Sequence, residues 1–141
     1  MAVTLQDLKD ELEITWSDDD LKLQRKLDAA IDVIERYTNQ SLVSKTITLT
    51  STGRPIEFFG APILSVSGAQ RECYNDMGVT LYAKDGDIIT ISMGVSNIKA
   101  LDEAVIRIAS TLYEDGEIDA VKLPIDVQLL VNQFRLDDFI S

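Results

Sequence analysis

The sequence predicts an α+β fold: a small helical bundle from the N- and C-terminal helices, with an inserted antiparallel β-sheet and hairpin region. Three observations carry this. Apolar residues recur at helical spacing up to about residue 38 and again from about residue 98. Between about 43 and 93 the period falls to two and β-branched residues dominate. Gly, Pro and Asp-Gly signals punctuate that middle stretch at turn spacing. With 141 residues, the expected organisation is one domain over 1–141. It comprises helices at about 5–38 and 98–135, a β insertion at about 43–93 and a C-terminal tail at 136–141.

The first helix is expected from about Leu5 to Glu13, with Thr4 as N-cap and Asp7 completing a capping box. Leu5, Leu8 and Leu12 form its apolar stripe, and Val3 and Leu8 are spaced as a hydrophobic staple. A second helix is expected from about Asp18 to Thr38, capped by Ser17, with Trp16 and Leu21 as its staple. Asp18, Asp19 and Asp20 then complement the positive end of the helix dipole. Leu23, Leu27, Ala30, Ile31, Ile34 and Tyr37 are its candidate core face, and Asn39 its stop.

From Leu42 the residues Val43, Lys45, Ile47 and Leu49 alternate with Ser and Thr, which predicts a strand. Turns at Gly53-Arg54-Pro55 and Gly60-Ala61-Pro62 delimit strands at 56–59 and 63–67. The polar stretch 69–78 reads as a loop. Asp85-Gly86 predicts a two-residue turn with both central residues at positive φ, closing a hairpin between Val79 and Ser92. In that register Lys84 faces Asp87 and Tyr82 faces Ile89.

A third helix is expected from about Ile98 to Glu114, with Leu101, Val105, Ile108 and Leu112 inward, Ala104 and Ala109 as small packing residues, and Gly116 as its stop. A fourth begins at Pro124, where a missing N–H costs nothing, and buries Val127, Leu130, Val131 and Phe134.

Composition narrows the chemistry. The chain has no histidine and a single cysteine, Cys73. A Ser-His-Asp or Cys-His nucleophile system is therefore excluded within it, as are an intrachain disulfide and a cysteine metal cluster. The seven glycines are scattered at turns and form no phosphate loop. Asp18-Asp19-Asp20 invites a metal reading, but adjacent helical carboxylates diverge by about 100°. Asp85-Gly86-Asp87 lacks the other ligands of a calcium loop. The expectation is no catalytic residues, no cofactor, no metal and no enzymatic activity. The N-terminal residues lack a signal-peptide pattern and no apolar run spans a membrane, so the expected compartment is cytoplasmic.

The formal net charge of −11 disfavours binding to duplex DNA. It leaves three readings: simple solubility, an acidic channel wall past which DNA slides, and an acidic DNA-mimic inhibitor of a nucleic-acid-binding protein. The mimic requires continuous carboxylate rows, which Lys9, Lys22, Arg25, Lys26, Arg36 and Arg107 interrupt. The end of the chain, Phe134-Arg135-Leu136-Asp137-Asp138-Phe139-Ile140, concentrates aromatic, aliphatic and arginine side chains of the kind that anchor interfaces.

Several segments together resemble a known family. Leu8-Lys9 with Leu12-Glu13-Ile14, Asp18-Asp19-Asp20 and the run Ala30 to Thr38 resemble the opening of the phage head–tail connector (head completion adaptor) family of long-tailed double-stranded DNA phages. Pro62-Ile63-Leu64-Ser65-Val66 resembles its central strand, and Ala104 to Ala109 with Leu112-Tyr113-Glu114 its third helix. Leu123 to Val127, Leu129-Leu130 and Phe134-Arg135 resemble its last helix. The order and spacing of these pieces carry the resemblance. Asp115-Gly116 departs from the Asn-Arg pair often found there, so that arginine's contacts are not carried over. The resemblance implies a structural subunit of a head–tail connector ring of about twelve copies beneath the portal. Such a ring extends the DNA channel without binding DNA specifically and offers a platform for a downstream neck or tail completion protein. It further implies portal-side contacts through Phe134, Arg135, Phe139 and Ile140, and a place in the virion neck after assembly in the host cytoplasm.

Overall fold

Thr4 starts the first helix by satisfying backbone donors that its first turn leaves open. Its Oγ1 accepts the Asp7 N–H at 3.2 Å, and Asp7 Oδ2 accepts the Thr4 N–H at 2.8 Å, which completes the expected capping box. The computed structural model describes residues 3–115 and 124–136. Helix α1 spans Leu5–Glu11. Glu13, at φ 57°, turns the chain so that Ile14 enters the interior.

Helix α2 spans Asp20–Thr38. It begins two residues later than the Ser17 cap implies. The Asp20 N–H bonds the Ser17 carbonyl, and the first helical bond that reaches back before the helix runs from Leu23 N–H to the Asp19 carbonyl at 2.8 Å. Leu23, the first residue of the expected core face, is fully buried. Leu21 is 71% exposed and Trp16 50% exposed, so they form no buried staple.

Helix α3 spans Lys99–Asp115 and α4 spans Ile125–Val131, followed by a 3-10 turn at Asn132–Phe134. The expected stop at Gly116 lies outside the described residues. Pro124 caps α4 through its carbonyl, which accepts the Gln128 N–H at 3.0 Å. Helix α3 is central: α1, α2 and α4 all pack against it. Its sequence fits that place, because Leu101, Ala104, Val105, Ile106, Ile108, Ala109 and Leu112 bury more than one face of the helix. Leu23, Leu27, Ala30 and Ile34 are the buried face of α2, Leu8 of α1, and Val127 and Val131 of α4.

The middle of the chain forms six strands: β1 Lys45–Thr50, β2 Ile56–Phe59, β3 Ile63–Ser67, β4 Arg71–Asn75, β5 Gly78–Tyr82 and β6 Ile88–Met93. They make two antiparallel three-stranded sheets, ordered β1-β6-β3 and β2-β5-β4. Val79 and Leu81 from one sheet cluster with Ile89, Ile91 and Met93 from the other. Ile47 pairs with Ile91 and Leu49 with Ile89, which sets the alternation of β1 against that core.

Two readings of the β region are corrected here. The stretch read as a loop contains β4, an edge strand whose residues are mostly exposed on both faces. With neither face buried, it carries no alternating hydrophobic signal. Its turn lies later, where Asn75 Oδ1 accepts the Met77 and Gly78 N–H groups at 2.8 and 2.9 Å. The Asp85-Gly86 turn exists, with Asp87 N–H bonded to the Lys84 carbonyl at 3.0 Å, but only Gly86 has positive φ. Such a turn splays its flanking strands instead of clamping them. Consequently β5 and β6 enter different sheets: Tyr82 pairs with Arg71, and Ile89 with Leu49.

By its contacts the chain divides into two compact units. One is helical, Met1–Thr38 with Asn97–Phe134, and the other contains the strands, Asn39–Ser96 with Arg135–Ser141.

Candidate functional site

The acidic triplet before α2 holds helices together. Asp19 Oδ2 accepts the Tyr113 hydroxyl at 2.9 Å and Trp16 Nε1–H at 3.3 Å. Lys9 Nζ donates to Asp20 Oδ1 at 2.8 Å, with the Lys9 side chain nearly buried. Lys22 Nζ lies 5.3 Å from the centre of the Tyr113 ring, within cation–π range. Asp19 and Asp20 thus tie the start of α2 to α3 and α1. Among the described residues, no group of three His, Cys, Asp or Glu side chains is placed to hold a metal ion.

Bonds from Tyr113 and Trp16 hold the Asp19 carboxyl below its ordinary pKa, and the same Asp19 bond holds the Tyr113 hydroxyl above its own. Folding therefore favours ionised Asp19 and neutral Tyr113. The Asp19 contribution is present above the unfolded carboxylate value and is lost as pH falls through the lowered folded value. The Tyr113 contribution is present below the ordinary tyrosine value and is lost as pH rises beyond it. Tyr113→Phe is expected to lower the melting temperature most at neutral pH, with the gap to wild type closing at both extremes. Thermal unfolding across pH measures this; a gap that does not vary with pH would refute the bond's role.

Asp102 behaves in the opposite sense. Its Oδ1 is buried without a hydrogen-bond partner among the described residues, beside a cavity of about 240 Å³ that Asp7, Lys99 and Glu103 also line. Burial raises its pKa, and Asp7 adds to the effect. Folding then favours the protonated form. This contribution is present below the unfolded carboxylate value and lost as pH rises through the raised one. Asp102→Asn should raise the melting temperature at neutral pH, with the gain disappearing in acid. A loss of stability at neutral pH would contradict it.

Of the four tail residues singled out by sequence, two are described. Phe134 is half-buried at the end of the 3-10 turn, in the helical unit, and Arg135 is half-buried as the first C-terminal residue of the β unit. Phe139 and Ile140 lie outside the described residues. The Leu136 carbonyl accepts Asn39 Nδ2–H at 2.6 Å, which fastens the chain just after Arg135. Tyr37 donates its hydroxyl hydrogen bond to Asn132 Oδ1, holding the 3-10 turn to the end of α2.

Sequence reasoning missed a second apolar stripe on α4. Ile125 and Leu129 are each 75% exposed. Four residues apart, they share a face that does not point at α3. Their spacing is visible in the sequence, but the neighbouring Val127-Leu130-Val131 stripe competes for the same reading. Helix α4 also contributes Asp126 to a shallow groove of about 380 Å³, lined with Glu11, Arg107 and Glu114. Arg107 there pairs with Glu103 at 3.2 Å and with Asp126 at 3.5 Å. Among the described residues no helix is long and apolar enough to cross a membrane.

Comparison with known proteins places this architecture. The fold is similar to a chain in a structure of the virion of a native gene transfer agent particle, with a TM-score of 0.75 and 20% identity over 99% of this chain and 92% of the other. It is also similar to a chain in the neck of a native gene transfer agent particle computed with C12 symmetry. That match has a TM-score of 0.71 and 19% identity over 97% of this chain and 90% of the other. A third match, in the neck of an empty particle computed with C6 symmetry, has a TM-score of 0.70 and 17% identity over 99% and 92%. No curated protein sequence matches the chain. At these identities the structures show a shared fold, and the family rests on sequence. Residues 2–134 match the family described as phage gp6-like head-tail connector proteins, and the chain belongs to that family.

Proposed function

We propose that this protein is a structural subunit of a head–tail connector ring in the neck of a phage or phage-like particle. The observation that carries this is the family match over residues 2–134, covering both helical segments and all six strands. The shared fold with chains from particle necks computed with C12 and C6 symmetry supports a cyclic assembly of copies. In this reading the whole chain acts as one connector domain. The ring docks beneath the portal protein, extends the DNA channel and presents a platform to a downstream neck or tail completion protein. It forms in the host cytoplasm and ends in the virion neck. The protein works by assembly and catalyses no reaction. The net charge of −11 suits a wall along which DNA slides without adhering.

Phe134, Arg135, Phe139 and Ile140 are the portal-side candidates. The Asn39 bond to the Leu136 carbonyl fixes where a test should cut. Truncation after Leu136 keeps that bond and removes Phe139 and Ile140. The truncated protein should retain the wild-type melting temperature while its affinity for the cognate portal falls at least about tenfold, as measured by co-purification and binding titration. Unchanged portal affinity would remove the tail from the account. Absence of any complex between the full-length protein and portal or neck particles would remove the connector role.

A further inference from the structure

We infer that Asn39 is a positioning residue for the end of the chain: its side-chain amide fixes Leu136, and with it the main chain of Arg135 and the point from which the tail continues. This deepens the reading of that end as portal-side and rests on it. Asn39 follows Thr38, the last residue of α2, and has φ 59°. A left-handed residue just past a helix is a stop, and glycine serves as a stop at least as well as asparagine. What glycine lacks is the amide. Asn39 Nδ2 donates to the Leu136 carbonyl at 2.6 Å, a partly buried bond between residues 97 positions apart. The amide therefore has a task that ending the helix does not require.

The main chain that carries this amide is itself held. The Asn39 carbonyl accepts the Ala61 N–H at 3.4 Å, and the Ser41 N–H bonds the Ala61 carbonyl at 2.6 Å. Between them Gln40 and Ala61 pair as a parallel bridge. The Ser41 carbonyl accepts the Ser96 N–H at 2.8 Å, which ties the first residues of the β insertion to its last. Gln40 and Ser41 are buried. Gly60 packs closely against the same stretch: a Cβ there would stand 3.4 Å from the Asn39 carbonyl oxygen. An amide mounted on a fixed main chain gives up little freedom when it bonds, so its direction is set in advance.

Arg135 directly precedes Leu136 and is half-buried. Anchoring the Leu136 carbonyl fixes the peptide just beyond Arg135, so its guanidinium starts from a defined main chain. The preceding 3-10 turn is secured separately, within the helical unit, by Tyr37 and Asn132. A polar anchor at Leu136 contributes orientation and leaves recognition to arginine and aromatic side chains of the kind that carry interfaces. Without it, the segment must be ordered at the moment of binding, and that ordering appears as lost affinity.

Two substitutions in the full chain separate the stop from the anchor. Asn39→Gly keeps the left-handed main chain and removes the amide. Asn39→Asp keeps the side-chain shape and replaces the donor with an acceptor. Circular dichroism should match wild type for both. The Leu136 carbonyl carbon resonance should move toward that of an unbonded carbonyl. The dissociation constant for purified cognate portal should rise about fivefold. A chain ending at Phe134 supplies the control, because it keeps the buried core residues and has no Leu136. There neither substitution should change portal affinity by more than about twofold. An unmoved Leu136 resonance, unchanged portal affinity in the full chain, or the same loss in both chain lengths overturns the role of Asn39. The portal-side reading survives that result if shortening the chain itself lowers portal affinity; if shortening changes nothing, both fall.

Discussion

Ile108→Ala is expected to destabilise the helical unit by about 2–5 kcal/mol. Ile108 is fully buried on α3, the helix against which α1, α2 and α4 all pack. Removing three carbons there sacrifices apolar burial and leaves a cavity that surrounding helices can fill only by shifting together. The adjacent buried residues Ala104, Val105, Ala109 and Leu112 already use small and branched side chains to seat neighbouring helices, so little slack exists for collapse. Denaturant unfolding followed by far-ultraviolet circular dichroism measures the loss. Leu129→Ala on exposed α4 is the matched control and should change stability by less than about 0.5 kcal/mol. Equal losses for the two variants would show that α3 is not the centre of the packing.

Gly78→Ala is the second large effect, of about 3 kcal/mol, and it falls on the β unit. A Cβ at Gly78 would stand 1.8 Å from the Phe58 carbonyl oxygen, a backbone atom that cannot rotate aside. Relief requires β2 and β5 to separate, which breaks the pairing of Phe58 with Val79 and Phe59 with Gly78. Strand β5 is central in its sheet and brings Val79 and Leu81 to the core. Gly86→Ala separates the two reasons for glycine. Nothing lies near its would-be Cβ, but its φ of +88° strains any side chain. That variant should cost about 1–2 kcal/mol. If Gly78→Ala proves no more costly than Gly86→Ala, the close approach of β2 to β5 is wrong.

Much of the architecture was legible because its signals are local. The capping box at Thr4 and Asp7, the helical period of Leu23, Leu27, Ala30 and Ile34, and the alternation around Ile47 and Leu49 each report their own element. Where a residue's role depends on a distant partner, the local signal misleads. Ser17 looks like a cap, yet α2 starts at Asp20, in a segment where Tyr113 and Trp16 take the Asp19 carboxylate and Lys9 takes Asp20. Arg71 to Asn75 look like loop because an edge strand exposed on both faces has no inward side to mark.

The candidate site shows the same division. Absence of histidine and of cysteine pairs follows from the sequence and restricts the chemistry without any coordinates. The apolar tail was also visible as a cluster, but its fastening through Asn39 and Leu136 joins residues 97 positions apart. Ile125 and Leu129 became conspicuous only when α4 was seated on α3 and one of its two apolar stripes was left outside.

The sequence by itself determined most of the element types and boundaries, the α+β class and the family, because periodicity, caps and motif order are properties of neighbouring residues. Only the tertiary structure decided which strands share a sheet and which apolar side chains remain on the surface. The turn at Gly86 shows the reason: Ser51, more than thirty residues earlier, bonds Ala83, Gly86 and Asp87 there, and β5 and β6 pair in different sheets, a competition among distant strand edges that no local signal reports.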